Sequence, residues 1–155
     1  MLPDAVAEDC TIWFRLEPDV DSDVQWEGLL GQRLDADRAR VCAIPFWVYD
    51  LNLGDEVRTM PSAEGALIAT EPIHDAGNYT FRVSFNNDED DDLSWRELQQ
   101  ELEPFACWFD VRSRRFVAIS CPSSHAPAVA DYLITRERNG ELHYETGRTK
   151  SLPGS

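Results

Sequence analysis

Cys121 and His125 are the two residues of this 155-residue chain whose types and spacing come closest to nucleophilic chemistry. They stand four positions apart, where a predicted strand leads into a predicted helix. A thiol near a helix start can have a lowered pKa, and a nearby imidazole can act as its base. No third member or oxyanion motif is identifiable beside them, and isolated cysteines and histidines are common structural residues. We therefore assign no catalytic residue, and the sequence leans against an enzyme.

A second pattern, Asp19, Asp21 and Asp23, alternates like the first three ligands of a calcium-binding loop. The sixth position of that loop would be Val24 where a glycine is needed, and the twelfth would be Leu30 where a glutamate should close the site. The cysteines and histidines lack the close spacing of a zinc site, and no phosphate-binding glycine motif is present. The sequence therefore predicts neither a metal nor a cofactor.

The charge of the chain is large and unevenly distributed. It has 29 acidic residues against 14 Lys and Arg, for a net charge of −15. Residues 1–37 hold ten acids and two arginines, residues 88–92 are five consecutive acids, and residues 93–155 hold eight of each sign. This distribution favours a basic protein partner and disfavours nucleic acid and anionic membrane surfaces. The one compact basic group, at residues 112–115, is too small to follow a phosphate backbone.

The candidate partner-binding residues are two acidic clusters and an aromatic pair. They are Asp19, Asp21, Asp23, Asp88, Glu89, Asp90, Asp91, Asp92, Trp47 and Tyr49. The run at 88–92 also precedes a predicted helix, whose N-terminal dipole stabilises each nearby carboxylate by about 0.3–1 kcal/mol. A solvated loop that caps this helix and a partner contact therefore both stay open for it. Trp47 and Tyr49 either form an exposed anchor or pack between the two halves of the protein.

Two halves of the chain must position these residues, and their predicted secondary structures differ. In the first half, strand-forming runs cover residues 11–16, 24–34, 38–44 and 67–73, and a tight turn at 51–57 feeds a further strand. Pro45 has no amide hydrogen and should stop the third strand, and Gly28 and Gly31 are predicted bends or bulges. About five strands at this spacing predict a small barrel or rolled sheet.

The second half alternates strands with helices. Strands are predicted at 79–85, 107–111, 116–121 and 141–146, and helices begin near Ser94 and near Pro127. Apolar stripes at Leu98 and Leu102, and at Val129 and Leu133, give each helix one buried face, and Asn139-Gly140 should stop the second helix.

The fold prediction is an α+β protein. A β-barrel-like or rolled-sheet half covers residues 1–77, and a ferredoxin-like βαββαβ half covers residues 78–148. Residues 149–155 are predicted to be a flexible tail.

Composition sets the expected compartment. The longest apolar stretch, residues 43–49, is far shorter than the roughly 20 residues of a membrane span, and the N-terminus is acidic where a secretory leader would be basic. The four cysteines form no close pair, so we read them as buried thiols without a disulfide or redox role. We expect a cytoplasmic protein without a membrane partner.

Four segments resemble a bacterial family known as domain of unknown function 4265. They are Trp26-Glu27, Ile44-Pro45-Phe46, Leu53-Gly54-Asp55-Glu56-Val57 and Gly77-Asn78-Tyr79-Thr80-Phe81-Arg82-Val83. Their order and spacing extend the resemblance over about residues 11–147. The resemblance implies a shared architecture, and it brings no activity or catalytic residue.

Two functional hypotheses follow from these observations. The first is an acidic, cofactor-free, non-catalytic binding protein that covers a basic protein partner, as an immunity protein or inhibitor does. The alternative is a small enzyme or ligand-binding domain that uses a cleft between the halves, with Cys121, His125, Glu27 or Asp55 nearby. A third possibility, a structural subunit of an assembly, requires a large exposed apolar patch.

Overall fold

The computed structural model describes residues 10–17, 25–86 and 93–148. The chain divides into two compact units, with the boundary between Ala76 and Gly77. The described residues form a closed five-stranded barrel, a second four-stranded sheet and two α-helices. The predicted α+β class with a barrel-like part is confirmed, and the predicted tail at 149–155 lies outside the described residues. No helix in the described part of the chain is long and apolar enough to cross a membrane.

The first unit is the barrel. Its strands are β1 (Cys10–Arg15), β2 (Trp26–Asp35), β3 (Arg38–Val41), β4 (Glu56–Pro61) and β5 (Leu67–His74). Consecutive strands pair antiparallel, and β1 closes the barrel by pairing parallel with β5, where Ile12 lies opposite Leu67. Because side chains alternate along a strand, Ile12 and Phe14 enter the barrel core while Trp13 between them lies on the outer face.

Gly28 and Gly31, predicted to be bends or bulges, form no bulge. Both lie in regular antiparallel pairing with β1, and the register shift of β2 comes later, at residues 33–35. A β-carbon at Gly31 would stand 2.4 Å from Cδ1 of Ile12, and one at Gly28 would stand 2.9 Å from the ring of Trp13. Side chains of the neighbouring strand lie across both positions, and the buried Ile12 makes glycine necessary at Gly31.

The second unit alternates strands and helices as predicted. Its elements are β6 (Asn78–Phe85), α1 (Leu93–Glu101), β7 (Trp108–Ser113), β8 (Phe116–Pro122), α2 (Ala126–Arg138) and β9 (Leu142–Thr146). The strands form one sheet in the order β7-β8-β6-β9, with every neighbouring pair antiparallel. Short 3₁₀ turns, Glu103–Phe105 and Ser123–His125, lead into β7 and α2.

The helices of this unit bury the predicted stripes. Leu98 and Leu102 from the α1 side, and Val129 and Leu133 from α2, are fully buried in one cluster with inward residues of β6 and β8. Helix α2 ends at the predicted stop, where Gly140 has a φ of 77° that favours glycine. The capping contact of Ser94 lies outside the described side chains.

Candidate partner-binding site

The connection between β3 and β4, residues 42–55, presents the predicted aromatic pair. Trp47 is 47% exposed and Tyr49 is 42% exposed. Large aromatic side chains are usually mostly buried, so two of them open to solvent within three residues mark this connection as a candidate contact surface. Their contact with a partner stays a prediction.

The buried carboxylate of Glu27 holds the loop that carries these aromatics. Oε2 accepts the backbone N–H of Phe46 at 2.8 Å, and Oε1 accepts those of Trp47 at 3.1 Å and Val48 at 3.0 Å. Glu27 occupies an inward position of β2 and is 7% exposed, so its charge is balanced by amide dipoles instead of water. Glu27 is therefore a positioning residue for the aromatic loop.

Asp55 performs the same task at the end of the loop. Its Oδ2 accepts the N–H of Asn52 at 2.9 Å, and its Oδ1 accepts the N–H of Ala76, also at 2.9 Å. The chain reaches this point through two residues with positive φ, Asp50 at 61° and Gly54 at 89°. The carboxylates named in the alternative hypothesis, Glu27 and Asp55, thus both bind backbone amides.

Local sequence patterns gave no sign of the contacts of Glu27 or of the bond from Asp55 to Ala76, since these join residues about 20 positions apart in the chain. The one available signal for Glu27 is its position. It is an acid at an inward position of an alternating strand, where an unpaired carboxylate would be costly.

A cavity of about 600 Å³ lies beside the aromatic loop within the first unit. Its lining comes from the end of β1 and the two residues that follow, from the loop, and from β4 and β5. The residues are 14–17, 48–51, Val57 and 69–72. The lining combines apolar core side chains with a polar rim. Such a composition, at the end of a barrel, is typical of a site for a partly apolar ligand or side chain.

The rim of the cavity carries more negative than positive charge. Glu17, Asp50 and Glu71 stand against Arg15. Glu71 also accepts a hydrogen bond from Nε of Arg58 at 2.8 Å, and this carboxylate raises the pKa of the Arg58 guanidinium. Glu71 is thus already paired with Arg58, and the excess negative charge of the rim comes from Glu17 and Asp50 against Arg15. This excess favours a ligand or partner side chain that carries a positive charge.

The structure does not support Cys121 as a nucleophile with His125 as its base. The Cys121 side chain is fully buried, and its hydrogen bond to Cys107, together with burial, raises its pKa. Nδ1 of His125 donates to the carbonyl oxygen of Phe105 at 2.8 Å, so this nitrogen is not available as a base. The more accessible thiol here is Cys107, which the sequence analysis read as buried and which is half-buried.

The acidic clusters Asp19, Asp21 and Asp23, and Asp88 to Asp92, lie outside the described residues. Among residues 10–17, 25–86 and 93–148, no group of three or more His, Cys, Asp or Glu side chains converges on a possible metal position.

The fold defines an α+β protein of two units, one a closed barrel and the other built on a four-stranded sheet. The chain belongs to the family described as Domain of unknown function (DUF4265), whose model matches residues 27–144. No curated protein matches it.

One solved structure shares the fold. It is described as the novel crystal structure of a hypothetical protein from Neisseria gonorrhoeae, and it is similar with a TM-score of 0.74 at 17% sequence identity. The match covers 88% of this chain and 92% of the other. At this identity the similarity establishes architecture alone.

Proposed function

We propose that this protein is a cytoplasmic, non-catalytic and cofactor-free binding protein that covers a basic protein partner, in the manner of an immunity protein or small inhibitor. The observation that carries this proposal is the exposure of Trp47 and Tyr49 on a loop whose backbone is fixed by Glu27. A few residues near the centre of an interface supply most of its binding free energy, and Trp and Tyr are enriched among them. A loop that is already ordered loses little conformational entropy on binding.

Charge supports a basic partner. The net charge of −15 raises the association rate of a positively charged protein and repels nucleic acid. Next to Tyr49, the rim acids Glu17 and Asp50 border a cavity that is lined in part by apolar side chains. A lysine or arginine side chain of the partner fits this environment, with its aliphatic stem on the apolar wall and its charge at the rim.

A second candidate function is the binding of a small molecule. The cavity volume of about 600 Å³ falls within the range of about 300–1,000 Å³ that is usual for ligand sites. The cavity that favours this candidate lies within the first unit, whereas the earlier hypothesis placed the ligand in a cleft between the halves. By the same charge argument, the ligand would be a small organic cation.

The ferredoxin-like assignment of the second unit belongs to this proposal as well. It is supported by the order strand, helix, strand, strand, helix, strand and by the sheet order β7-β8-β6-β9. The cytoplasmic assignment is supported by the four cysteines, all of which are free thiols.

Co-purification from a lysate of the source organism tests the proposal. The tagged full chain is used as bait in low salt and again in high salt, because screening weakens contacts between exposed charges. The partner is then purified and its affinity is measured by calorimetry. We expect Trp47→Ala with Tyr49→Ala to weaken binding by about 2 kcal/mol or more, or about thirtyfold in Kd.

Two further variants separate the contributions. Met60→Ala removes an exposed apolar side chain on β4 and should leave the affinity unchanged. Replacing Asp88 to Asp92 by Asn and Ser should slow association and reduce the salt dependence. The proposal fails if the aromatic double variant binds as well as the parent chain, or if recovery is insensitive to both salt and charge removal.

A further inference from the structure

Cys107 and Cys121 lie opposite each other at one end of the second sheet. Cys107 directly precedes β7, whose first residue, Trp108, pairs with Ser120 of β8. Extending this register by one residue places Cys107 opposite Cys121. Directly opposed residues of antiparallel strands have Cα atoms about 4.5 or 5.5 Å apart, and disulfides span about 4.4–6.8 Å. The two thiols also pack in the same core cluster. The backbone is therefore already placed for a bond between them.

The two sulfur atoms differ in access. Cys121 is fully buried, whereas Cys107 is half-buried and forms part of the wall of a cavity of about 580 Å³. Trp95, Arg96 and Glu103 line the same cavity. A solute that enters the cavity can reach Cys107, and Cys121 can be reached through Cys107.

The difference in acidity follows the difference in access. The Cys121 thiol donates its hydrogen toward the Cys107 sulfur, and this contact lowers the pKa of Cys107. The same hydrogen bond, and then burial, raise the pKa of Cys121. The sulfur that faces the cavity is thus the one whose pKa is lowered, and the buried sulfur lies behind it. This is the arrangement that an attacking thiol with a resolving partner requires.

The turn before Cys107 is fixed by His125. Its Nδ1 donates to the carbonyl oxygen of Phe105 at 2.8 Å, and the two rings meet edge to face at 6.1 Å. Ala106, with φ at 56°, then directs the chain into β7. His125 is thus a positioning residue for Cys107.

We propose that Cys107 and Cys121 form a redox-active dithiol that is oxidised to a disulfide by small hydroperoxides entering the cavity at Cys107. The Cys107 thiolate attacks one peroxide oxygen, the O–O bond breaks, and the departing oxygen takes up a proton to leave as water or an alcohol. Cys107 is then a sulfenic acid. Cys121 gives up its proton and attacks the Cys107 sulfur, the S–S bond forms, the S–O bond breaks, and the hydroxyl leaves as water. Two thiols and one hydroperoxide yield one disulfide, one alcohol or water and one further water.

Peptide mapping of the full-length, reduced protein after brief treatment with hydrogen peroxide tests this proposal. Free thiols are blocked with an alkylating reagent before digestion with trypsin, which cleaves after Arg and Lys. The four cysteines fall in four different tryptic peptides, because arginines separate them in the sequence. We expect residues 97–112 linked to residues 116–136, two hydrogens lighter than the sum of the reduced peptides, while Cys10 and Cys42 remain alkylated.

Variants separate the roles of the two sulfurs. Cys121→Ser should leave Cys107 as a sulfenic acid that a dione reagent traps, and Cys107→Ser should abolish rapid oxidation of Cys121. Cys10→Ser and Cys42→Ser are matched controls, since Cys10 is half-buried like Cys107 and Cys42 is buried like Cys121. In the controls the linked peptide should form at the parental rate, roughly tenfold faster than Cys10 is oxidised in the parent chain.

Mapping of the parent chain needs no substitution, so it decides the proposal even if a variant fails to fold. The proposal is overturned if Cys107 is oxidised no faster than Cys10, or if the disulfide that forms joins a different pair.

Discussion

The carboxylate of Glu27 and the backbone amide of Trp47 are joined by a hydrogen bond of 3.1 Å that connects β2 to a loop 20 residues further along the chain. The same carboxylate also accepts the amides of Phe46 and Val48. A side chain inside the barrel core therefore determines where an exposed tryptophan stands. The stability of the first unit and the shape of its candidate surface therefore both depend on Glu27.

Glu27→Ala should lower the free energy of unfolding by about 3 kcal/mol, because three amides lose their acceptor. A buried unsatisfied amide costs about 1–3 kcal/mol, and these amides are only partly buried, so each should cost about the lower figure. Glu27→Gln keeps one oxygen and should lose less. Urea unfolding followed by tryptophan fluorescence measures both changes. The control is Glu64→Ala at an exposed turn position, which should change stability by less than about 0.5 kcal/mol. Equal effects at Glu27 and Glu64 would contradict the role assigned to Glu27.

Asp55→Ala should release the amides of Asn52 and Ala76, which its two carboxylate oxygens accept at 2.9 Å. We expect hydrogen exchange at these two amides to accelerate relative to the core of β1, and stability to fall by about 2 kcal/mol. Asp55→Asn should protect only one of the amides, since its side-chain nitrogen cannot accept a hydrogen bond. Unchanged exchange at both amides in Asp55→Ala would show that other groups hold this turn.

The strands and helices could largely be predicted from local patterns. Alternation of side chains at residues 79–85 reflects one buried face, and the stripes at Leu98 and Leu133 reflect helical periodicity, because each is produced by neighbours in sequence. The meaning of Gly28 and Gly31 could not be predicted in this way. Atoms of Trp13 and Ile12 on the paired strand occupy the space that a side chain at Gly28 or Gly31 would need. The register of that pairing is not encoded in the local sequence.

The candidate site shows the same division. The sequence leaves Trp47 and Tyr49, beside Pro45 and Asp50, open between an exposed anchor and packing between the halves, and both side chains are exposed. The contact of Glu27 with the loop and the opposition of Cys107 to Cys121 depend on how distant segments meet in three dimensions. A reading based on spacing therefore selected Cys121 with His125, whose spacing is local, and missed Cys107.

Gly31→Ala should destabilise the barrel by about 2 kcal/mol, because the added carbon would stand 2.4 Å from Cδ1 of Ile12 and 3.0 Å from the carbonyl oxygen of Arg40. Gly28→Ala is the matched control on the same strand. There the nearest atoms belong to the outer part of the partly exposed Trp13 ring, which can move aside. Thermal unfolding should show a clearly lower Tm for Gly31→Ala alone, and equal losses at both positions would refute the packing argument.

Arg136 is enclosed by three carboxylates, with Nε 2.9 Å from Oε2 of Glu141 and a terminal nitrogen 3.7 Å from Glu101 and 3.9 Å from Glu97. Its side chain is 20% exposed, so solvent screens these pairs only partly. Arg136→Ala should cost about 1–2 kcal/mol because the three acids would then repel one another near α1 and α2.

Two comparisons isolate the charge effect at Arg136. Arg136→Lys should recover part of the loss, since it keeps the charge but not the planar fork. Arg96→Ala, at an exposed position of α1, should change stability by less than about 0.5 kcal/mol. Added salt should reduce the difference between Arg136→Ala and the parent chain in chemical unfolding, and a difference that grows with salt would exclude an electrostatic origin.

The reactivity of Cys107 toward iodoacetamide should rise at a lower pH than that of an ordinary thiol, whose pKa is about 8.5. The sign follows from the hydrogen bond that Cys121 donates, because this bond stabilises the thiolate of Cys107 and lowers its pKa. Cys121→Ala removes the donor and should move the pH profile of Cys107 alkylation to higher pH, toward the ordinary range.

Cys121→Ser restores a donor of similar size and should move the profile back to lower pH. The rate of Cys107 alkylation as a function of pH, read by mass spectrometry of residues 97–112, distinguishes these cases. If the alanine and serine variants gave the same profile as the parent chain, the donor would have to be sought elsewhere than at Cys121.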